Sequence, residues 1–159
     1  MSGPILLRVL GAVARPLDLT WADLMAFPES YRVLDVARFH PGRRGDAITL
    51  DSLLRRAEPH PDAAYLTLHA DRDDFHVCIP LAAVRPEGLV VFRLGDLPLA
   101  VEQGGPVRFL IRDPAACHTD ELDDCANVKY VDRIELSNGK GRDTRPGDDA
   151  AHAALHDHS

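Results

Sequence analysis

Gly104-Gly105-Pro106-Val107-Arg108 is the stretch of this 159-residue chain that carries most information about its fold. Two glycines and a proline interrupt regular structure, and the apolar residues 107–111 predict that a β-strand resumes directly after them. A second stretch, Asn127-Val128-Lys129-Tyr130-Val131, begins the apolar run 128–136, which predicts the last strand. Each stretch therefore brings one cation, Arg108 or Lys129, close to the start of a predicted strand.

Upstream of these stretches, short apolar runs alternate with polar turns. Thr20, with Asp23 three residues later, predicts a short capped helix, and Thr49 precedes a second helix with apolar residues at helical spacing. Twelve prolines and eleven glycines argue against a helical bundle. We therefore expect an α+β fold, with mixed, mostly antiparallel β-sheets and a few short helices. Six further strands are predicted, at residues 5–13, 31–36, 64–69, 75–79, 89–94 and 97–101.

Length and charge limit the classes of function. A chain of 159 residues fits one domain, which we place at residues 1–137, followed by a polar, flexible, histidine-containing tail at 138–159. The net charge of −7 argues against a nucleic-acid partner, although a small anion needs only two or three cations. No export signal and no run of 18 apolar residues occurs, so we expect a cytoplasmic protein without a membrane partner.

The order of the segments resembles the oxidoreductase molybdopterin-binding domain family, the sulfite-oxidase fold. The resemblance covers about three quarters of the chain, and its most specific parts are the Gly-Gly-Pro-x-Arg stretch and the Val-Lys-aromatic stretch quoted above. It implies a pterin cofactor whose phosphate is held by Arg108, by Lys129 and by backbone amides around Val128. It also implies that Gln103 occupies a family position that contacts the cofactor.

One family feature is missing from the sequence. The resemblance implies a cysteine whose thiolate binds molybdenum between the predicted strand 31–36 and the helix after Thr49, yet no cysteine precedes Cys78. Asp35, or a neighbour, falls at that position, and a carboxylate oxygen is a harder ligand than a thiolate. Three hypotheses follow: a molybdenum enzyme with Asp35 as ligand, a non-catalytic pterin- or anion-binding module, and an unrelated site on the same scaffold. A homodimer or a redox partner protein fits any of them.

A separate cluster contains Cys117, His118 and Cys125 in an acidic loop. These residue types bind zinc, which would make the chain a zinc-binding protein. The two cysteines could instead form a disulfide or a thiol-redox pair, or serve only as packed thiols. On a different predicted strand, His76 and Cys78 share one face, where they are either packed sheet residues or part of a site.

Overall fold

The computed structural model describes residues 4–39, 43–112 and 128–141, which contain ten β-strands and three short α-helices. The helices are α1 (Trp21–Met25), α2 (Leu50–Ala57) and α3 (Leu81–Val84). The strands are β1 (Ile5–Gly11), β2 (Leu17–Thr20), β3 (Arg32–Val33), β4 (Asp46–Thr49), β5 (Tyr65–Ala70), β6 (Phe75–Pro80), β7 (Gly88–Leu94), β8 (Leu97–Pro98), β9 (Arg108–Ile111) and β10 (Arg133–Ser137).

The strands form two five-stranded sheets. The first has the order β2-β1-β10-β5-β6, and the second contains β3-β4-β7-β8 with β9 paired to β7. Every pairing is antiparallel except that of β1 with β10 among the described strands. The expected α+β class with mostly antiparallel sheets is therefore confirmed.

A large apolar core lies between the sheets and under the helices. The core contains the side chains on one face of each sheet, because successive side chains along a strand point to opposite faces. Phe92 on β7 is fully buried and meets Trp21 of α1, with ring centroids 5.8 Å apart. A smaller cluster, which includes Val36, Val91 and Leu110, lies on another face of the second sheet. Strand β9, which carries Arg108, is buried along its whole length.

The helix starts follow the local sequence. Thr20 accepts a hydrogen bond from the amide of Asp23, and the Asp23 carboxylate accepts one from the Thr20 amide, so the predicted capping box is present. Thr49 caps α2 through the amide of Ser52. Both caps fix where a strand ends and a helix begins.

Three predicted strands are much shorter than expected, while the 5–13 strand ends two residues early, at Gly11. The 31–36 strand is reduced to Arg32–Val33, because Asp35 has a left-handed backbone with φ 57° and starts the 3-10 turn Val36–Arg38. The 97–101 strand ends at Pro98. The 128–136 strand begins only at Arg133, because Tyr130 also has a positive φ of 60° and breaks the extended backbone.

The segment after β10 turns back over the first sheet. The amide of Gly141 donates to Sγ of Cys78 at 3.1 Å, and a Cβ on Gly141 would collide with the Thr67 side chain. The beginning of the predicted tail is thus packed on the sheet, whereas residues 142–159 lie outside the described residues. No helix in the described part of the chain is long and apolar enough to cross a membrane.

Candidate anion-binding site

Arg108 is a buried cation at the start of β9. The residue is 8% exposed, and its Nη1 donates to the backbone oxygen of Gln103 at 3.1 Å. Its Nε is buried without a hydrogen-bond partner among the described residues. A buried guanidinium with an unused donor is costly unless a ligand satisfies it. Arg108 therefore does not point into solvent, although β9 carries it at the start of a strand.

Gly104 brings the two stretches of sequence together. It has φ 91°, a region that favours glycine, and a Cβ there would lie 2.9 Å from Cγ of Lys129 and 3.3 Å from Cδ of Arg108. The neighbouring Gly105 has no room for a Cβ either, because the backbone of Leu99 occupies that space. The glycines therefore let the side chains of Arg108 and Lys129 approach one backbone turn. We call Gln103, Gly104, Arg108 and Lys129 the Arg108 corner.

The chain around Lys129 is fixed by its neighbours. Val128 is buried and exchanges two backbone hydrogen bonds with Phe109 of β9, at 2.7 and 2.9 Å. The amide of Tyr130 donates to the oxygen of Gly104 at 2.8 Å. Lys129, between these two anchored residues, is exposed, so its position is set by backbone bonds while its ammonium group reaches solvent.

A second arginine adds positive charge to the corner. The pKa of Arg108 is lowered to about 10, first by burial and then by the nearby guanidinium of Arg43, whereas Tyr130 opposes the shift. Arg43 is itself half-buried, and its Nε has no hydrogen-bond partner in the parts of the chain that are described. Two arginines that repel each other next to unused donors favour an anion between them.

Gln103 contributes its backbone to the corner. Its carbonyl accepts from Arg108, and it ends the 3-10 turn Val101–Gln103 directly before the left-handed Gly104. The side chain is half-buried. The geometry thus places Gln103, Val128, Lys129 and Arg108 in one neighbourhood.

Asp35 lies in a different environment. It belongs to residues 34–39, which we call the Asp35 loop. Its carboxylate accepts a hydrogen bond from the Ala37 amide at 3.2 Å, and its own amide donates to Asp46 at 2.9 Å. The side chain is exposed, and no hydrogen bond or ion pair joins it to Arg108 or Lys129 within the described ranges.

Comparisons with known proteins connect these observations to a family. The family model of the oxidoreductase molybdopterin binding domain matches residues 46–144. This chain belongs to that family. The matched residues include Gln103, Arg108, Val128 and Lys129 of this molybdopterin-binding domain, but they begin after Asp35.

A solved structure shows the same fold. The sulfane dehydrogenase SoxCD from Paracoccus pantotrophus matches with a TM-score of 0.61 and 22% identity, over 84% of the present chain. The match covers 38% of that chain, so the molybdopterin-binding domain described here spans well under half of its length. A search of the curated proteins found no match.

The two ends of a molybdopterin cofactor fit this domain differently. The Arg108 corner fits a phosphate, because it has an unused buried donor, a glycine turn and a second cation. The Asp35 loop does not fit the role of the thiolate, since its carboxylate is exposed and caps a backbone amide. The implied group is therefore accommodated at its phosphate end by residues that the sequence identifies.

The cysteine cluster cannot be judged in the same way. Cys117, His118 and Cys125 lie outside the described residues. In the part of the chain that the structure describes, no group of three side chains that could hold a metal ion occurs. Cys78 is a buried thiol that accepts a hydrogen bond from the Gly141 amide. The zinc and thiol-redox hypotheses for the cluster remain predictions from sequence.

Two features of the structure were not predicted. The first is the approach of Arg43 to Arg108, which nothing local in the sequence indicates because the two residues are far apart along the chain. The second feature is a pair of buried histidines, His69 and His76, in direct contact. Their position on two strands around a short turn was a usable signal, because hairpin pairing sets such residues opposite each other.

Proposed function

We propose that this domain binds the phosphate monoester of a pterin cofactor at the Arg108 corner. The single observation that supports this most is the buried guanidinium of Arg108, whose Nε has no partner among the described residues while Gly104 keeps the space beside it free of a side chain. A planar guanidinium binds phosphate oxygens through parallel charge-assisted hydrogen bonds.

The charges at the corner match this ligand. A phosphate monoester carries about −1.5 to −2 charges at pH 7, and Arg108 and Lys129 together supply two positive charges, with Arg43 close to Arg108. The exposed Lys129 adds a compact charge that can move to the ligand. Because the net charge of the chain is −7, this local cation group is what makes anion binding favourable here.

We further propose that the domain does not perform thiolate-dependent oxo transfer. The bound cofactor would supply a metal centre with redox chemistry, and the residues of this chain hold the phosphate and orient the pterin. The position implied for the metal-binding cysteine falls on Asp35 or a neighbour, and the carboxylate of Asp35 is already used as a backbone cap. The domain then acts as a pterin- or anion-binding module.

Cofactor analysis tests this proposal. The full chain is purified from a host that makes the pterin cofactor, acid oxidation and fluorescence measure the pterin, and elemental analysis measures molybdenum. We expect a phosphorylated pterin in an amount similar to that of the protein, and much less in the Arg108→Met variant. An equal pterin content in both proteins would contradict the assignment to Arg108.

Calorimetry separates the cofactor from simpler anions. The apo-protein is titrated with inorganic phosphate and with a phosphorylated pterin. Tighter binding of the phosphorylated pterin supports a pterin site, whereas equal affinities indicate a site for phosphate alone. If neither ligand binds, the proposed function is wrong.

A further inference from the structure

Two buried histidines face each other across the β5–β6 hairpin. His69 and His76 are cross-strand partners, 6% and 2% exposed, and their Nδ1 atoms are 2.8 Å apart. This distance is that of a hydrogen bond between the rings. They lie on the sheet face opposite the apolar core, far from the residues of the Arg108 corner in sequence.

Each imidazole also contacts a carboxylate through its other nitrogen. Nε2 of His69 is 2.9 Å from Oε1 of Glu135, and Nε2 of His76 is 3.0 Å from Oδ1 of Asp74. The side chains of Glu135 and Asp74 are 41% and 77% exposed. Carboxylates that reach water are ionised at neutral pH, so both accept hydrogen bonds and donate none.

Two neutral imidazole rings do not carry enough N–H groups for the hydrogen bonds observed here. The chain of contacts from Glu135 through both imidazoles to Asp74 contains three short contacts, and each needs one N–H. Two neutral imidazoles carry only two N–H groups in total. We propose that His69 and His76 together hold one additional proton at neutral pH, so that the pair is a buried imidazole–imidazolium between two carboxylates.

The ring geometry favours a proton over a metal ion. The ring centroids are 5.0 Å apart, which is close to the largest value that a 2.8 Å nitrogen contact allows, since a head-on contact adds only the two ring radii. Two ligands of one metal ion would meet at an angle, with ring centres closer together for the same nitrogen distance. The N–H of one ring therefore points at the lone pair of the other.

The surrounding charges are mostly negative. The pKa of the Asp71 carboxyl is lowered, first by its hydrogen bond from Arg133, and a proton on His69 or His76 would lower it in the same direction. Asp132 binds this turn through the Asp71 amide and donates its own amide to the oxygen of His69. Among the described residues, the charged side chains that contact the pair or its turn are Asp71, Asp74, Asp132, Arg133 and Glu135.

The additional proton has a consequence for stability. In an unfolded chain, histidines lose their positive charge as the pH rises through ~6.5. Above that pH the folded pair binds one proton more than the unfolded chain does, so stability falls as pH rises. One proton corresponds to a fall of about tenfold in the folding equilibrium constant per pH unit, which continues until the folded pair releases its proton.

The Glu135→Gln variant removes the need for the additional proton. A glutamine can donate its amide N–H to Nε2 of His69, after which two ring protons satisfy all three contacts. Asp74→Asn is the same change at the other end, and asparagine tolerates the left-handed backbone of residue 74, with φ 48°. Glu58→Gln, at an exposed carboxylate paired with Arg15, is the matched control.

Nitrogen NMR of the full chain at pH 7.5 counts the protons directly. We expect three protonated ring nitrogens in the His69–His76 pair of the wild type and two in Glu135→Gln or Asp74→Asn. Between pH 7 and 8, the folding equilibrium constant of the wild type and of Glu58→Gln should fall about tenfold more than that of Glu135→Gln or Asp74→Asn. Two ring protons in the wild type, or a stoichiometric zinc ion that removes both Nδ1 protons, would overturn the proposal. If a variant fails to fold, the count in the wild type decides alone.

Discussion

The Arg108 corner and the Asp35 loop are both parts of a molybdopterin-binding domain, yet they satisfy their charges in opposite ways. In the corner, a guanidinium is buried with one donor unused among the described residues, and a second guanidinium lies near it. In the loop, a carboxylate is exposed and bound to a backbone amide. The guanidinium of the corner has a donor without a partner among the described residues, whereas the carboxylate of the loop already has one.

This difference is the basis of our proposal that the corner, and not the loop, binds a ligand. Burying an unpaired cation destabilises a fold, so a protein keeps such a group where a ligand uses it. A carboxylate that caps a 3-10 turn has a structural use that needs no metal. We therefore assign ligand binding to the corner and local structure to the loop.

Arg108→Met should produce the largest effect. Loss of two charge-assisted hydrogen bonds weakens binding of a phosphate monoester at least ~100-fold. The free energy of unfolding should stay the same or rise by about 1 kcal/mol, because an apolar side chain of similar length replaces a buried charge. Calorimetry and urea denaturation measure the two quantities. Arg15→Met, at an exposed ion pair with Glu58, should change neither, and a large loss of stability in Arg108→Met would contradict the account.

Gly104→Ala should affect both binding and stability. A Cβ at this position meets Lys129 and Arg108, and the backbone φ of 91° disfavours alanine. We therefore expect the free energy of unfolding to fall by about 1–3 kcal/mol. We also expect phosphate affinity to fall about tenfold or more, since both cations must move.

Gly95→Ala is the control for Gly104→Ala. Gly95 also has a positive φ, of 66°, but a Cβ there meets nothing within 4 Å. It should reproduce the backbone strain without the loss of phosphate affinity. Equal losses of affinity in the two variants would show that the contact with Lys129 and Arg108 is irrelevant.

Lys129→Gln should have a smaller effect on phosphate binding and stability together than Arg108→Met or Gly104→Ala. The exposed ammonium contributes one charge to the ligand, so affinity should fall about tenfold while the unfolding midpoint stays within experimental error. Lys140→Gln, at another exposed lysine, should leave the affinity unchanged. Salt-insensitive binding in the wild type would argue against this role for Lys129.

Asp35→Asn should have the smallest effect. Asparagine retains the side-chain cap and tolerates the left-handed backbone, so neither phosphate affinity nor stability should change by more than about twofold in the respective equilibrium constants. Asp35→Ala removes the cap and should cost about 1–2 kcal/mol of stability without changing affinity. If Asp35→Asn abolished cofactor binding, Asp35 would be a ligand and the division between the two regions would be wrong.

The sequence was sufficient for the local parts of this structure. The Thr20 and Thr49 caps, the β5–β6 hairpin and the strand after Pro106 follow from neighbouring residues. The roles of Arg108 and Lys129 are implied by the family resemblance and stay predictions. The lengths of β3 and β10 could not be predicted, because the left-handed backbones of Asp35 and Tyr130 depend on packing partners distant in sequence. For the same reason, the approach of Arg43 to Arg108 became visible only in three dimensions.

The most direct test of the central claim follows the Nε–H of Arg108 by NMR while a phosphate monoester is added. This hydrogen has no acceptor among the described residues, so its signal reports the proposed contact itself. The account predicts a saturable downfield shift of the Arg108 Nε–H signal, with the same dissociation constant that calorimetry gives, and loss of binding in Arg108→Met. An unchanged Arg108 signal during saturation of the protein with the phosphate monoester would contradict it.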